Sequence, residues 1–320
     1  MKKFLYLLAL LVSFNSISAQ INNSNNTNNN GYDSENETHL IKTNLNTVTL
    51  PFQLIENLIV IDVIVNQKKG KAVFDTGNQA YFAANSEYFV EEIVEKNASF
   101  RPDTATGISG NIPVVYNIKI DSLLMDDFCF SYFDAVAFNM SHIRKAIGKD
   151  LLGFIGFGVM KECEWAIDYR NKLIHIYRLD QDGNTLEKPS YNKKELFEFD
   201  AAKGSPIASL NFAGKNVNFF LDTGAPANSL DSNVISGIDT NYLSFTGLVD
   251  ALSGGDGGYL ITNVAVMKQL SIKDISFVNM PTNVYKFFGN SANNGTLGYP
   301  FFSQKLFIFN FKKNKIYINE

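Results

Sequence analysis

Two Asp-Thr-Gly triplets are the residues of this sequence best suited to chemistry. They occupy Asp75–Gly77 and Asp222–Gly224, and each follows a run of apolar residues, "AVF" in the first case and "FFL" in the second. A single triplet of this kind is more often a tight turn than a site, because Asp and Gly both favour turns. A pair of carboxyls brought together behaves differently, because both cannot ionise readily and the two share one proton. One can then accept a proton from water while the other donates one.

The elements that would position the two triplets are a pair of similar hairpins. The first, "LIVIDVIVNQKKGKAVFDTG", alternates apolar residues, turns at Lys69-Gly70 and returns into the triplet. The second, "SPIASLNFAGKNVNFFLDTG", turns at Gly214 and returns in the same way. Alternation around a glycine-containing turn is typical of a β-hairpin. Each Asp is therefore predicted at the end of a returning strand.

The similarity continues through both halves of the chain. Residues 155–176 and 297–318 align without a gap as an apolar residue plus Gly, a short helical turn, a strand, a polar turn and a last strand. Between these landmarks, residues 104–120 and 251–266 each combine a Gly-rich turn with an alternating strand, which predicts a hairpin with a mobile tip. The first half also contains residues 85–97, whose apolar spacing predicts a short helix. The chain is therefore an internal two-fold repeat.

Composition and charge narrow the class of protein. Apolar residues make up 45% of the chain, with 27 Phe and 14 Tyr, which favours a β-rich fold. The net charge of -4 argues against a nucleic-acid surface. Three scattered His without ligand spacing argue against a metal site. Cys129 and Cys163 could form a disulfide or stay as buried thiols.

The chain divides into five segments. Lys2 and Lys3 precede an apolar run that is too short to span a bilayer. Residues 1–19 are therefore predicted to be a signal peptide that is cleaved near Ala19. Residues 20–44 are Asn-rich, and this composition predicts a flexible tether. Residues 45–179 form an N-terminal lobe, residues 180–195 a polar linker and residues 196–320 a C-terminal lobe. The mature protein is expected to be exported to the periplasm, the cell surface or the medium, without stable membrane insertion.

With both triplets in a repeated framework, the chain resembles the aspartic protease superfamily from about Leu45 to its end. Each half is similar to one retropepsin-type lobe, and the flanking strands look closest to bacterial single-chain relatives of the retropepsins. The resemblance implies an all-β, bilobal acid-protease fold with two similar barrel-like lobes and an active-site cleft between them. It also implies a monomer with pseudo-two-fold lobes that takes a peptide or protein substrate and needs no cofactor and no metal.

Site residues follow from the resemblance by motif position. Asp75 and Asp222 would be the catalytic pair, and the residues expected to support their loops are Thr76, Gly77, Asn78, Thr223, Gly224 and Ala225. Gly156 and Gly298 would pack against these loops, and the flap candidates are Gly107, Gly110, Gly254 and Gly257. Asn78 departs from the pattern, because a small residue usually stands there. Its amide could donate to a carboxylate or crowd the loop.

Two functions remain open from the sequence. The first is an aspartic endopeptidase in which water held between Asp75 and Asp222 attacks the peptide carbonyl. The alternative is a catalytically inactive binding module of the same fold, which would hold a peptide or glycan in the interlobe cleft. Asn78 is the residue that favours the alternative.

Overall fold

The computed structural model describes residues 5–7, 41, 43–94, 100–101, 105–106, 111–112, 115–201, 206–254, 257–287 and 293–320. The predicted signal peptide and tether lie largely outside the described residues. So does the tip of the first Gly-rich hairpin, with Gly107 and Gly110. The fold is all-β, as predicted, with strands making up most of both halves.

The N-terminal lobe is built on one curved sheet. Its strands are β3 (Gln53–Ile55), β4 (Leu58–Val65), β5 (Lys68–Phe74), β6 (Phe82–Asn85), β7 (Phe100–Arg101), β10 (Val115–Met125), β11 (Phe128–Phe138) and β12 (Leu151–Ile155). They run in the order β3-β4-β5-β12-β6-β11-β10-β7, and β4 also pairs with β10. This last pairing joins Val65 to Leu123 and closes the sheet into a barrel. A small ladder of β8 (Ala105–Thr106) and β9 (Asn111–Ile112) stands apart.

The C-terminal lobe repeats this plan. Its strands are β16 (Ile207–Phe212), β17 (Lys215–Leu221), β18 (Asn228–Asp231), β19 (Leu243–Ser253), β20 (Tyr259–Ile272), β21 (Ile275–Tyr285) and β22 (Gly295–Leu297), with β1 (Leu5–Leu7) against β19. The order β19-β20-β21-β18-β22-β17-β16 matches that of the first lobe. In each lobe a short strand before the apolar-Gly motif runs parallel to the strand that ends at Asp, β12 with β5 and β22 with β17. Both predicted hairpins are confirmed. The predicted position of the first turn, Lys69-Gly70, is wrong: these residues pair inside β5, and the chain turns at Asn66-Gln67, where both residues have a left-handed backbone.

A third sheet joins the lobes. It contains β2 (Thr47–Pro51), β13 (Cys163–Asp168), β14 (Leu173–Arg178), β15 (Lys193–Glu198), β23 (Phe307–Asn310) and β24 (Lys315–Asn319), in the order β15-β24-β23-β13-β14-β2. Its central pair is β13 with β23, one strand from each half. The predicted linker, residues 180–195, therefore ends inside a strand, because β15 adds to the edge of this sheet beside β24.

Short helices complete the fold. They are α1 (Val90–Val94), α2 (Ser141–Ile147), α3 (Phe157–Met160) and α4 (Tyr299–Phe302). The two predicted helical turns are α3 and α4, and α1 lies inside the segment predicted as a helix but is shorter. Trp165 of β13 is fully buried, and its ring centroid lies 5.1 Å from that of Phe74 at the end of β5. The core of the connecting sheet thus packs directly beneath the first Asp-Thr-Gly loop. Cys129 and Cys163 are both free thiols.

Candidate active site

The two Asp-Thr-Gly loops meet through a reciprocal set of hydrogen bonds between their threonines. The backbone N–H of Thr76 donates to Thr223 Oγ1 over 3.0 Å, and that of Thr223 donates to Thr76 Oγ1 over 2.9 Å. Each hydroxyl donates in turn to a carbonyl of the opposite lobe, at Leu221 and Phe74. All these groups are buried. The structure thus brings together Thr76 and Thr223. Their reciprocal hydrogen bonds hold the two loops in a fixed position across the lobe boundary.

The two carboxyl groups lie side by side where the two Asp-Thr-Gly loops meet. Each carboxylate accepts a hydrogen bond from the glycine two residues on, from Gly77 N to Asp75 Oδ1 over 2.8 Å and from Gly224 N to Asp222 Oδ1 over 2.9 Å. Each carboxyl shifts the pKa of the other, and Asp75 Oδ2 is buried without a hydrogen-bond partner among the described residues. Two carboxylates this close cannot both stay ionised, so the pair retains a proton.

Glycine is required at both loops by the approach of the opposite carboxyl. A Cβ at Gly77 would lie 2.6 Å from Asp222 Oδ1, and a Cβ at Gly224 would lie 2.4 Å from Asp75 Cγ. Those distances are shorter than any real contact of a Cβ atom. The two predicted glycines therefore make the close approach of the carboxyl groups possible.

Burial sets the protonation of the pair. Asp75 and Asp222 are at most 1% exposed. Burial raises the pKa of Asp75 to about 6, although Asp222 and the N–H groups of Gly77 and Asn78 act to lower it. The pKa of Asp222 rises further, because burial acts together with the negative charge of Asp75. Asp222 is therefore the group that keeps the shared proton, and Asp75 is the group that ionises first.

The side chain of Asn78 forms hydrogen bonds to the backbone of its own lobe. Its Nδ2 donates to the carbonyl of Phe154 over 3.1 Å, and its Oδ1 accepts from Ala80 N over 3.1 Å. Its backbone N–H is the group that lies against Asp75. Ala225, at the same position of the second loop, is fully buried against Leu252. Of the two roles predicted for the Asn78 side chain, donation to a carboxylate and crowding of the loop, the first is not among these hydrogen bonds.

Gly156 and Gly298 pack against the loops as the resemblance implies. A Cβ at Gly156 would lie 2.1 Å from the carbonyl oxygen of Ala80, and a Cβ at Gly298 would lie 2.3 Å from that of Ala225. The N–H of Gly298 donates to Asn228 Oδ1 over 2.8 Å. These glycines let β12 and β22 run directly under the two loops.

The hairpin β19–β20 carries the flap candidates Gly254 and Gly257. Gly254 N donates to the carbonyl of Gly258 over 3.2 Å, and Gly257 has a left-handed backbone with φ of 76°. A Cβ at Gly257 would lie 3.7 Å from the ring of His142 on α2 of the other lobe. The tip of this hairpin thus reaches from the C-terminal lobe to the N-terminal lobe.

An apolar cluster beside the second loop was not anticipated from the sequence. It combines Ala225, Leu252 and Tyr285, with Leu260 and Phe287 packed against it. Burial raises the pKa of Tyr285 to about 12, and the charge of Asp222 adds to this shift. Leu252 and Tyr285 lie on separate strands of the repeat. Only the alternation of β19 and β21 could have indicated that they face the site.

A metal-binding cluster and a membrane-spanning helix are both absent from the described part of the chain. No group of three or more His, Cys, Asp or Glu side chains is arranged to hold a metal ion among these residues. In the same residues, no helix has the length and apolar character needed to cross a membrane.

Comparisons with known proteins bear on the second half of the chain most directly. A family model described as aspartyl protease matches residues 208–301, a segment that contains Asp222 and Gly298. Among solved structures the chain is similar to Basic 7S globulin from soybean, with 12% sequence identity and a TM-score of 0.44 over 86% of this chain and 94% of that chain. No curated protein matches the sequence.

Proposed function

We propose that the chain, whose residues 208–301 match a family model described as aspartyl protease, is an aspartic endopeptidase with Asp75 and Asp222 as its catalytic pair. The observation that supports this most is the close approach of two buried carboxyls, each held by the glycine N–H of its own loop. A pair that shares one proton supplies a base and an acid at the same place. Neither role needs a cofactor.

The proposed reaction divides these roles by pKa. Asp75, the stronger acid of the pair, is ionised and takes a proton from a water molecule as the water oxygen bonds to the peptide carbonyl carbon. Asp222 gives its proton to the carbonyl oxygen, which becomes a hydroxyl. The tetrahedral intermediate then collapses as the C–N bond breaks. The departing nitrogen takes the proton from Asp75, and a hydroxyl proton returns to Asp222.

The position of Asn78 supports the same function. The alternative, a catalytically inactive binding module, depended on the Asn78 side chain blocking the carboxyl pair. Its two ends instead bond Phe154 and Ala80 within its own lobe. We also propose, from the sequence, that the protein acts outside the cytoplasm after removal of residues 1–19.

Cleavage of a diverse peptide pool by wild type, Asp75→Asn and Asp222→Asn tests the proposal. We expect each variant to lose at least about a thousandfold in kcat/KM, since one acid-base partner is removed while the loop geometry is retained. The matched control is Asp134→Asn, which changes an exposed carboxylate on β11 that pairs with Lys119. Full activity in Asp222→Asn would contradict the proposal. Peptide binding by a wild type that cleaves nothing at any pH would favour the binding module.

A further inference from the structure

A cavity lies next to the apolar cluster beside Asp222. Its volume is about 330 Å³, near the lower limit for small-molecule pockets, so its size suits one side chain better than a whole ligand. The described residues that line it are Asn57, Pro226, Ala227, Asp250, Val264, Asn279, Pro281, Thr282, Asn283, Tyr299, Pro300, Ser303 and Gln304. Pro226 and Ala227 directly follow the second Asp-Thr-Gly loop. Asn57 comes from the other lobe and donates to the carbonyl of Pro226 over 3.2 Å.

The cavity belongs to the same face of the sheet as the apolar cluster. Asp250 and Leu252 are two residues apart on β19, and alternate residues of a strand point to the same face about 7 Å apart. Asn283 and Tyr285 have the same relation on β21. A peptide extended along this face would therefore place one side chain in the cavity, beyond the buried apolar cluster as seen from the carboxyl pair.

Asp250 is the one formally charged side chain among the described residues that line the cavity. It is only 8% exposed, so it is more than nine-tenths buried. It accepts a hydrogen bond from Ala251 N over 2.9 Å and another from the side chain of Asn283. Asn283 is held in turn by Thr262, whose hydroxyl donates to Asn283 Oδ1 over 3.0 Å. The carboxylate is thus fixed in orientation by polar neighbours on three adjacent strands.

No Lys, Arg or His lines the cavity within the described ranges to balance this carboxylate. Burial raises the pKa of Asp250, which shows that its charge is poorly solvated. The other polar linings, such as Asn279, Ser303 and Gln304, offer neutral oxygen acceptors. A cationic group entering the cavity would find both a buried counter-charge and further acceptors for its N–H donors.

We propose that this cavity is a specificity pocket for a basic side chain, Lys or Arg, of the peptide substrate, with Asp250 as its recognition residue. The inference rests on the proposed endopeptidase function. It adds that substrates carry a basic residue some positions away from the scissile bond, on the side that the C-terminal lobe binds. Asp250 takes no part in the bond-breaking steps.

Matched peptides that differ only in one residue test this inference. A peptide cleaved by the wild type is made with Lys, Arg, norleucine or Glu at each position around the scissile bond, and kcat/KM is measured for each. At one position we expect Lys and Arg to exceed norleucine by about tenfold or more, as for a charge-assisted hydrogen bond in a desolvated site. Asp250→Asn should lose this preference, so that its kcat/KM values for the Lys, Arg and norleucine peptides become similar.

Asp274→Asn is the control, because it removes the same charge from an exposed residue of the same lobe that pairs with Lys194. It should keep the preference for Lys and Arg. Cleavage without a preference for a basic residue at any position, or a preference that survives in Asp250→Asn, would overturn the inference and leave the endopeptidase proposal intact.

Failure of the endopeptidase proposal gives a different result, namely no cleavage of any peptide by the wild type. Equilibrium binding of the Lys and norleucine peptides then decides the inference separately. Tighter binding of the Lys peptide by wild type, lost in Asp250→Asn and kept in Asp274→Asn, would support the pocket. Equal affinities of the wild type for the two peptides would overturn it. Thermal unfolding of each variant confirms that the compared proteins are folded.

Discussion

At the scale of single residues, the protonation of Asp75 and Asp222 governs what the pair can do. Burial raises the pKa of both carboxyls, and that of Asp222 rises further because Asp75 is charged beside it. The pair therefore holds one proton over a pH range that begins near the raised pKa of Asp75. Below that range both carboxyls are protonated and the base is lost. Above it both are ionised and the acid is lost.

The pH dependence of peptide cleavage follows from this order. We expect kcat/KM to rise through a pKa of about 6, where Asp75 ionises, and to fall at higher pH when Asp222 loses its proton. The measurement is kcat/KM for one peptide in buffers of constant ionic strength. If kcat/KM is highest at strongly acidic pH and falls before pH 6, the pKa of Asp75 is not raised by burial in the substrate-free protein, and the prediction is wrong.

Asn78 allows a second prediction about a single residue. Asn78→Ala leaves the carbonyl of Phe154 and the N–H of Ala80 without their side-chain partners, and the free energy of unfolding should fall by about 1–3 kcal/mol. The position of the pH profile should not move, since the side chain does not bond the carboxyls. Urea unfolding and the kcat/KM profile measure the two effects.

Asn85→Ala provides a matched control for this change. Asn85 is also buried, and its Nδ2 donates to the carbonyl of Leu151 on the same strand β12 over 3.2 Å. A similar loss of stability in both variants is expected. A shift of the pH profile in Asn78→Ala alone would instead mean that Asn78 tunes the carboxyl pair.

At the scale of elements, the sheet that joins the lobes contains a buried ion pair. Glu164 on β13 is fully buried, and both its oxygens lie 3.0 Å from Lys193 Nζ on β15. Asn310 on β23 donates to Glu164 Oε2 over 2.8 Å, and the hydroxyl of Tyr191 donates to Oε1 over 3.2 Å. One carboxylate thus connects both lobes and the segment between them.

Removing that charge should weaken the junction. Glu164→Gln leaves Lys193, which is 28% exposed in its side chain, without its counter-charge. The expected loss is about 1–3 kcal/mol of unfolding free energy at neutral pH, below the value for a fully buried pair because water reaches the lysine. Glu195→Gln removes the charge of a side chain that is 38% exposed and pairs with Lys315. This change should lower the free energy of unfolding by less than about 1 kcal/mol. Equal losses in the two variants would argue against a special role for Glu164.

At the scale of the whole molecule, the repeat in the sequence predicts much of the fold. The hairpins ending at Asp75 and Asp222 and the helical turns after Gly156 and Gly298 depend on local alternation and turn chemistry, which a sequence displays directly. The closure of the first barrel through β4 and β10 depends on contacts between distant strands. So do the position of β15 beside β24 and the cavity around Asp250. No local pattern encodes those pairings.

The joined core predicts that the two lobes unfold together. Trp165, the single tryptophan of the chain, lies on β13 against Phe74 and pairs with Phe309 of the other lobe. Its fluorescence therefore reports on the lobe boundary, whereas far-UV circular dichroism reports on the strands of both lobes. We expect the two urea transitions to coincide. A fluorescence change at lower urea than the loss of strand signal would show that the lobes separate before they unfold.

The reciprocal bonding of Thr76 and Thr223 also bears on how the protein behaves on dilution. When such a site is assembled from two identical subunits, each half meets its partner by diffusion, and the complete site disappears below the dissociation constant. Here residues 180–195 tether one half to the other, so the effective concentration of each half around its partner is set by the chain and not by the solution. The specific activity is accordingly expected to be the same at nanomolar and at micromolar protein.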